Sequence, residues 1–237
     1  MDGKVMRRWL GEFIVIVLGV LVALAVDDWV QYRSDRDLEL DLVQRLRGDL
    51  VADARDLAGS RLMVERRRWI LQALSQSLSE GVAPSRAPDS LVQAQRAGRP
   101  WRPLEAPLQS FVGAPLFQVT DDSFQEILAT GAFRTLRDPG LRAAISTYYR
   151  TAETFAAALE YNEEGVDRFT ALLLESSVSI EDPLDLERLA ALARQDARLA
   201  AQGREALHKL RMQALDVRQI ENARVNLESA LARQLER

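Results

Sequence analysis

The chain has 237 residues, of which 47% are hydrophobic and 28% are charged, and its formal net charge is −4. This length and apolar content suffice for a folded core and exclude wholesale disorder. The negative charge argues against a nucleic-acid-binding protein, which usually carries a basic surface. Because the chain has no cysteine and one histidine, His208, it has almost no residues for thiolate or His-based sites. Abundant Ala, Leu, Arg, Glu and Gln favour an all-α protein.

The first predicted element is an apolar segment near the start of the chain. Residues 13–26 are fourteen consecutive residues without a charged side chain, so a helix there has no polar face. A helix from Trp9 to Trp29 is about 30 Å long, which matches the hydrocarbon thickness of a bilayer. Tryptophan favours the two membrane interfaces. The sequence therefore predicts a transmembrane helix over residues 9–30.

The residues before this segment indicate its orientation. Arg7 and Arg8 belong to a basic tail over residues 1–8 and lie directly before the apolar segment. Lys and Arg are retained on the cytoplasmic side of a membrane, so the C-terminal part is expected in the periplasm. The opposite topology stays open, because the numbers of Lys and Arg residues on the two sides of the segment are nearly equal.

Two other interpretations of the segment concern cleavage and helix pairing. Ala23-Leu24-Ala25 resembles the cleavage site of a secretory signal peptide, whereas Glu12 and Trp29 favour a retained anchor. Gly11, Gly19 and Ala23 lie at multiples of four along the helix. Small residues at this spacing allow two membrane helices to approach closely, although Val15 interrupts the series.

Residues 31–80 are predicted to form a long amphipathic helix. Apolar residues recur at heptad-compatible spacing, but Asp53, Ser60 and Arg67 occupy intervening seam positions. This pattern favours a helix that packs against its own chain over a coiled coil. The "ERRRW" run at residues 65–69 is interpreted as a solvated face, with an anionic docking patch as the alternative.

Residues 81–115 are predicted to be a loop or linker, because six of the eight prolines fall there. Residues 116–237 are predicted to form an antiparallel helical bundle. Its first helix is expected to have an Asp121 or Asp122 cap, a buried stripe of Phe124, Ile127 and Leu128, and an end at Gly131.

The next helix of this bundle is expected to begin at Asp138-Pro139 and to continue to about Leu174. Of its neighbouring tyrosines, Tyr148 and Tyr149, only one is expected to pack in the core. Pro183 is predicted to separate this helix from a last helical region over residues 184–235.

The sequence offers no arrangement typical of a catalytic or metal site. It lacks the repeated Glu-x-x-His motifs of four-helix carboxylate metal sites, and it has no phosphate-binding glycine loop. Four acidic residues that follow one another on a predicted helix are interpreted as solvated: Glu160, Glu163, Glu164 and Asp167. No enzyme activity, cofactor or metal is therefore predicted.

Two blocks of the chain resemble a widespread bacterial family of unknown function. The first is "RRWLGEFIVIVLGVLVALAVDDWVQYRSDRDLELDLVQRLRGDL", with its Gly-Glu, mid-helix Gly, Ala-Leu pair and closing Asp-Asp-Trp. The second is "SFQEILATGAFRTLRDPGLRAAISTYY", which ends in Tyr-Tyr. The resemblance implies a small, membrane-anchored helical protein and supplies no activity.

These observations predict a non-enzymatic, single-pass protein of the bacterial inner membrane. Its expected partners are the lipid bilayer and either a protein or further copies of this chain, and not a nucleic acid. The alternative is an extracytoplasmic ligand-sensing domain that acts through a partner subunit. A membrane-attached hydrolase is the least favoured interpretation.

Overall fold

The computed structural model describes residues 3–80, 111, 117–179, 181–182 and 185–236. Within these residues the protein is all-α and has no β-strand, which confirms the predicted fold class. The elements in chain order are α1 (Gly3–Glu80), α2 (Asp122–Thr130), a 3-10 turn (Ala132–Arg134), α3 (Pro139–Glu175), α4 (Leu186–Gln195) and α5 (Ala197–Leu235).

Helix α1 is uninterrupted over its 78 residues and is therefore about 117 Å long. It has no break at residue 30, where the predicted membrane helix ends and the predicted amphipathic helix begins. Gly48 and Gly59 lie within it without ending it. The predicted loop over residues 81–115 falls outside the described residues except for Phe111.

Helix α5 packs along α3 and along the bundle part of α1, and it runs antiparallel to both. Arg61 of α1 pairs with Glu221 of α5, while Glu39, earlier in α1, contacts Gln234, later in α5. The α3–α5 contacts run in the same opposed sense, since Leu159 meets Gln213 and Arg168 meets Glu205. Helices α1 and α3 consequently run in the same direction.

Local signals set the start of α3 and the end of α2 as predicted, whereas Asp121 holds the N-cap position of α2 without a capping hydrogen bond to its side chain. The Asp138 carboxylate accepts hydrogen bonds from the backbone N–H groups of Gly140 and Leu141, and Pro139 occupies the first turn of α3. Gly131 ends α2 in the left-handed conformation, with φ of 71°. Both arrangements satisfy backbone groups that a helix end leaves without an intrahelical partner.

Asp196 divides the last helical region into two helices, which the sequence analysis did not predict. Its extended backbone ends α4, and its side chain accepts a hydrogen bond from the N–H of Arg198 at 2.8 Å to begin α5. The break that was predicted at Pro183 agrees with the end of α3 at Glu175 and the start of α4 at Leu186, although Pro183 itself is not described.

The prediction that only one of the neighbouring tyrosines packs is wrong. Tyr148 and Tyr149 are both buried, because different elements cover adjacent faces of α3. Tyr148 reaches Asp53 of α1, whereas Tyr149 stacks on Phe124 of α2 with ring centroids 4.1 Å apart.

The predicted buried stripe of α2 is also wrong at Leu128, which is exposed, while Ile127 is buried.

Two hydrophobic clusters form the core of the bundle. The first lies around Leu46, Ile145 and Ile220, and the second around Ile70, Phe169 and Leu210. Each cluster contains residues of α1, α3 and α5. All three long helices therefore contribute to both parts of the core.

The start of α1 extends beyond this core. Residues 17–34 are all exposed, and the first fully buried side chain of α1 among the described ones is that of Glu39. In the described part of the chain, no helix combines the length and the apolar character needed to cross a bilayer.

Candidate functional site

Two features of α1 are candidates for function: its exposed apolar end and a set of buried polar residues. The exposed end presents large apolar side chains that lie on all sides of the helix, and Trp29 at its far end is 60% exposed. The residues at this end with the greatest exposure include Phe13, Leu18, Leu21, Val22 and Leu24. Soluble proteins rarely expose so much contiguous apolar surface without a partner.

The predicted anchor residues are only partly described. Trp29, Gly19 and Ala23 lie on the exposed part of α1, and a Cβ added to Gly19 would meet no atom within 4 Å. Gly19 and Ala23 are one helical turn apart and both are open to a partner. The backbone of the remaining predicted residues lies within α1, but their side chains are outside the described ones: Arg7, Arg8, Trp9 and Gly11.

The second feature is a polar seam, by which we mean Glu39, Asp53 and Arg67 of α1. These residues are spaced by fourteen positions, or two heptads, so they lie along one side of the helix. All three side chains are buried at no more than 1% exposure. Buried charges are costly unless other groups compensate them, so the partners of each residue show what the seam does.

Glu39 joins the ends of α3 and α5 to α1. One of its carboxylate oxygens accepts hydrogen bonds from the backbone N–H of Arg137 at 3.1 Å and from the Gln234 amide at 2.9 Å. The other oxygen accepts from Arg36 at 3.1 Å. Glu39 therefore connects three parts of the fold at the end of the bundle from which α1 emerges.

Asp53 fixes the chain before α2 and the middle of α3. One oxygen accepts a hydrogen bond from the Thr120 backbone N–H at 2.8 Å, and the other accepts a short hydrogen bond from the Tyr148 hydroxyl. Burial raises the pKa of the Asp53 carboxyl, although the hydrogen bond from Tyr148 opposes this effect. Burial also raises the pKa of the Tyr148 hydroxyl, so it stays a donor.

Asp49 lies one helical turn before Asp53 and holds the start of α2. Burial raises the pKa of the Asp49 carboxyl, while hydrogen bonds from Ser123 lower it. Nearby, the buried Tyr149 hydroxyl has no hydrogen-bond partner within the described part of the chain. The two tyrosines thus differ, since the Tyr148 hydroxyl donates a hydrogen bond to Asp53 and the Tyr149 hydroxyl has no such partner.

Arg67 forms the third connection of the seam. Its Nη1 donates to both carboxylate oxygens of Glu163 in α3, at 2.8 and 2.9 Å, and its Nε donates to the carbonyl oxygen of Phe111 at 2.7 Å. The guanidinium carbon lies 5.6 Å from the centre of the Phe111 ring. Gln213 of α5 donates to the same Glu163 carboxylate at 3.1 Å. This network joins α1, α3, α5 and the chain at Phe111.

The interpretation of "ERRRW" as a solvated face is wrong, because Arg66 and Arg67 are both buried. The docking-patch alternative is also wrong for Arg67, whose guanidinium binds Glu163 and Phe111. Glu163, grouped with solvated acids, is only 14% exposed for the same reason. The signal was present in the sequence, since Arg67 occupies a seam position that lies between the apolar seam residues Val64 and Leu71.

Two concave surfaces accompany the seam. A groove of about 1590 Å³ lies beside the middle of α1 and is lined by apolar residues such as Val51, Ala58 and Ala156 and by charged residues such as Glu160 and Arg224. A smaller pocket of about 480 Å³ lies at the end of the bundle beside Glu39. The groove exceeds the volume of about 300–1,000 Å³ that is typical of small-molecule sites.

Each residue of the polar seam binds groups of other elements of the fold, which makes the seam a set of structural connections. Among the residues that the structure describes, no group of acids and histidine is placed to hold a metal ion. Buried polar pairs of this kind fix the register of packed helices, as polar seam residues do in coiled coils.

Comparisons with known proteins supply no relative. No family model matches the chain, and no curated protein or solved structure shows significant similarity to it. The resemblance to a bacterial family of unknown function therefore stays a prediction.

Proposed function

We propose that this chain is a non-enzymatic protein of the bacterial inner membrane, held by the apolar end of α1 and acting through contacts with other proteins. The observation that carries the proposal is the exposed apolar surface of α1 before Glu39. In water, exposing this surface costs roughly 25 cal/mol for each Å². A bilayer or another apolar partner removes that cost.

The bundle is proposed to lie in the periplasm, because Arg7 and Arg8 precede the apolar segment. Since α1 is continuous, the bundle is joined to the anchor without a flexible linker. We propose that the protein either forms oligomers or binds another protein, and that Gly11, Gly19 and Ala23 lie at the contact between anchor helices. The wide groove favours a protein partner over the alternative of a small sensed ligand.

Alkaline carbonate extraction of membranes tests the anchor. The wild-type chain is expected to stay in the membrane pellet. Substitution of Leu18→Arg together with Val22→Arg is expected to release it, because each arginine costs about 2.5–3.5 kcal/mol at the centre of a membrane helix. Leu215→Arg is the matched control, since Leu215 is an exposed leucine of α5.

Release of the wild-type chain by carbonate would overturn the anchor. Retention of the double variant would likewise show that residues 17–34 do not lie in lipid. The contact between chains is tested separately by crosslinking in membranes, where Gly19→Leu is expected to reduce a crosslinked dimer by blocking close approach.

A further inference from the structure

The pocket at the end of the bundle is lined by arginines and lies close to the proposed membrane surface. It lies between Tyr32, Arg36 and Glu39 of α1, Arg137 and Asp138 before α3, and Gln234 of α5, and its volume is about 480 Å³. We call it the collar pocket. It lies at the base of the exposed apolar segment of α1.

The carboxylates of the collar pocket are directed into the protein. Glu39 is fully buried, and both of its oxygens accept hydrogen bonds from neighbouring groups of the fold. Asp138 caps α3 with its side chain. Glu39 therefore balances the charge of the pocket from within, while the half-buried Asp138 lines the pocket and uses one oxygen to cap α3.

The guanidinium groups form the outer part of the collar pocket. Arg137 is exposed, and its guanidinium lies 3.9 Å from the centre of the Tyr32 ring. This stacking leaves the N–H groups at the edge of the guanidinium directed away from the ring. Arg36 is 27% exposed and directs Nη1 to Glu39. The planar guanidinium groups of Arg36 and Arg137 thus lie at the same opening of the collar pocket.

We infer that the collar pocket binds the phosphate group of an anionic membrane phospholipid. Arginine matches phosphate oxygens with paired hydrogen bonds. If Trp29 marks the membrane interface, Tyr32 and Arg36 lie about 5 and about 10 Å further along the helix, which corresponds to the headgroup layer. The inference rests on the proposed membrane anchor, because only that anchor brings lipid headgroups to this opening.

The test is a titration of the full chain in neutral detergent with short-chain phosphatidylglycerol, followed by thermal unfolding. Phosphatidylglycerol is expected to raise the melting temperature, because a ligand that binds the folded state stabilises it. Arg137→Gln is expected to weaken the apparent affinity at least about tenfold through the lost charge-assisted hydrogen bonds. Arg137→Lys keeps the charge without the planar donor and is expected to fall between the two.

Arg137→Gln is suited to this test because its backbone N–H still donates to Glu39. Arg61→Gln is the matched control, since Arg61 is an exposed arginine of α1 about 38 Å beyond Arg36. It is expected to bind phosphatidylglycerol like the wild type.

Equal affinity of the wild type and Arg137→Gln would overturn the inference. An equal temperature shift with inorganic phosphate, or with short-chain phosphatidylcholine, would overturn the assignment to an anionic lipid. Carbonate extraction separates this inference from the proposed anchor: Arg137→Gln is expected to stay in the membrane pellet even as its lipid affinity falls.

Discussion

The two parts of α1 differ in which side chains they expose and which they bury. Residues 17–34 expose valine, leucine and tryptophan, whereas the part within the bundle buries Glu39, Asp53 and Arg67. The same helix continues through both parts without a break. Its surroundings therefore change at about residue 39, although its backbone conformation does not.

This contrast shows that the groups around a side chain decide whether it is stable in the core or at the surface. Arg67 can be buried because Glu163 and the Phe111 carbonyl oxygen accept the hydrogen bonds that its guanidinium would otherwise donate to water. The leucines and valines of the exposed part have no such partner within the described structure, which is why we propose that they lie in lipid. The following substitutions test the contrast, from the largest expected effect to the smallest.

Removing Arg67 is expected to have the largest effect on the bundle. Arg67→Met leaves the Glu163 carboxylate in the core without its cation, and such changes cost about 3–5 kcal/mol in the free energy of unfolding. Urea denaturation followed by circular dichroism measures this loss. Arg61→Met removes an exposed pair with Glu221 and is expected to cost less than about 1 kcal/mol.

A second substitution tests whether the charge left behind causes that loss. Adding Glu163→Leu to Arg67→Met is expected to restore part of the stability, because no buried charge then lacks a partner. If the double variant loses the sum of the two single effects, the Arg67–Glu163 pair is not the source of the stability.

The same chemical change in the two parts of α1 gives the most direct contrast. Leu46→Ala removes a fully buried side chain and is expected to cost about 2–5 kcal/mol. Leu24→Ala, in the exposed part, is expected to change the free energy of unfolding of the bundle by less than about 0.5 kcal/mol. Similar losses in urea denaturation would show that residues 17–34 pack against the bundle.

The neighbouring tyrosines provide a comparison within the core. Tyr148→Phe leaves the buried Asp53 carboxylate with one donor fewer and is expected to cost about 1–3 kcal/mol. Tyr149→Phe removes a hydroxyl that no described residue binds, so it is expected to be neutral or slightly stabilising. Denaturation midpoints that fall equally for both variants would contradict the assigned roles.

Asp53 is expected to make stability depend on pH. Because burial raises its pKa in the folded state, folding favours the protonated form. The stability that protonated Asp53 adds to the folded state is present below the unfolded pKa of about 3.9. It is lost as the pH rises through the folded pKa. Urea denaturation across this range is expected to show a smaller pH dependence for Asp53→Asn than for the wild type.

An identical response to pH in the wild type and in the Asp53→Asn variant would show that Asp53 does not supply this dependence. The comparison is needed because other carboxyls contribute in both directions. Burial raises the pKa of Asp216, for example, whereas the hydrogen bond from Arg198 lowers the pKa of Asp196.

Much of the fold follows from local patterns in the sequence. The all-α class follows from composition, the start of α3 from the Asp138-Pro139 pair, and the end of α2 from Gly131. These features depend on interactions within a few residues of each other. The division at Asp196 was missed because the acidic side chain replaces the glycine or proline that usually marks a break.

The buried polar contacts were harder to predict because their partners are distant in sequence. Arg67 and Glu163 are separated by 96 positions, and Asp53 and Tyr148 by 95. A charged residue at a seam position indicates an interruption in apolar packing, but it does not identify its partner. The burial of Tyr149 likewise depends on α2, which covers a second face of α3.

The central claim is that the exposed part of α1 lies in lipid, and a spin-label scan tests it most directly. The chain has no cysteine, so single cysteines at successive positions from 17 to 34 can each carry one label without background. In reconstituted membranes, labels before Asp27 are expected to collide with oxygen and to be protected from a water-soluble nickel complex on every side of the helix. Access of the nickel complex to all these positions, or to one side of the helix in each turn, would contradict the claim.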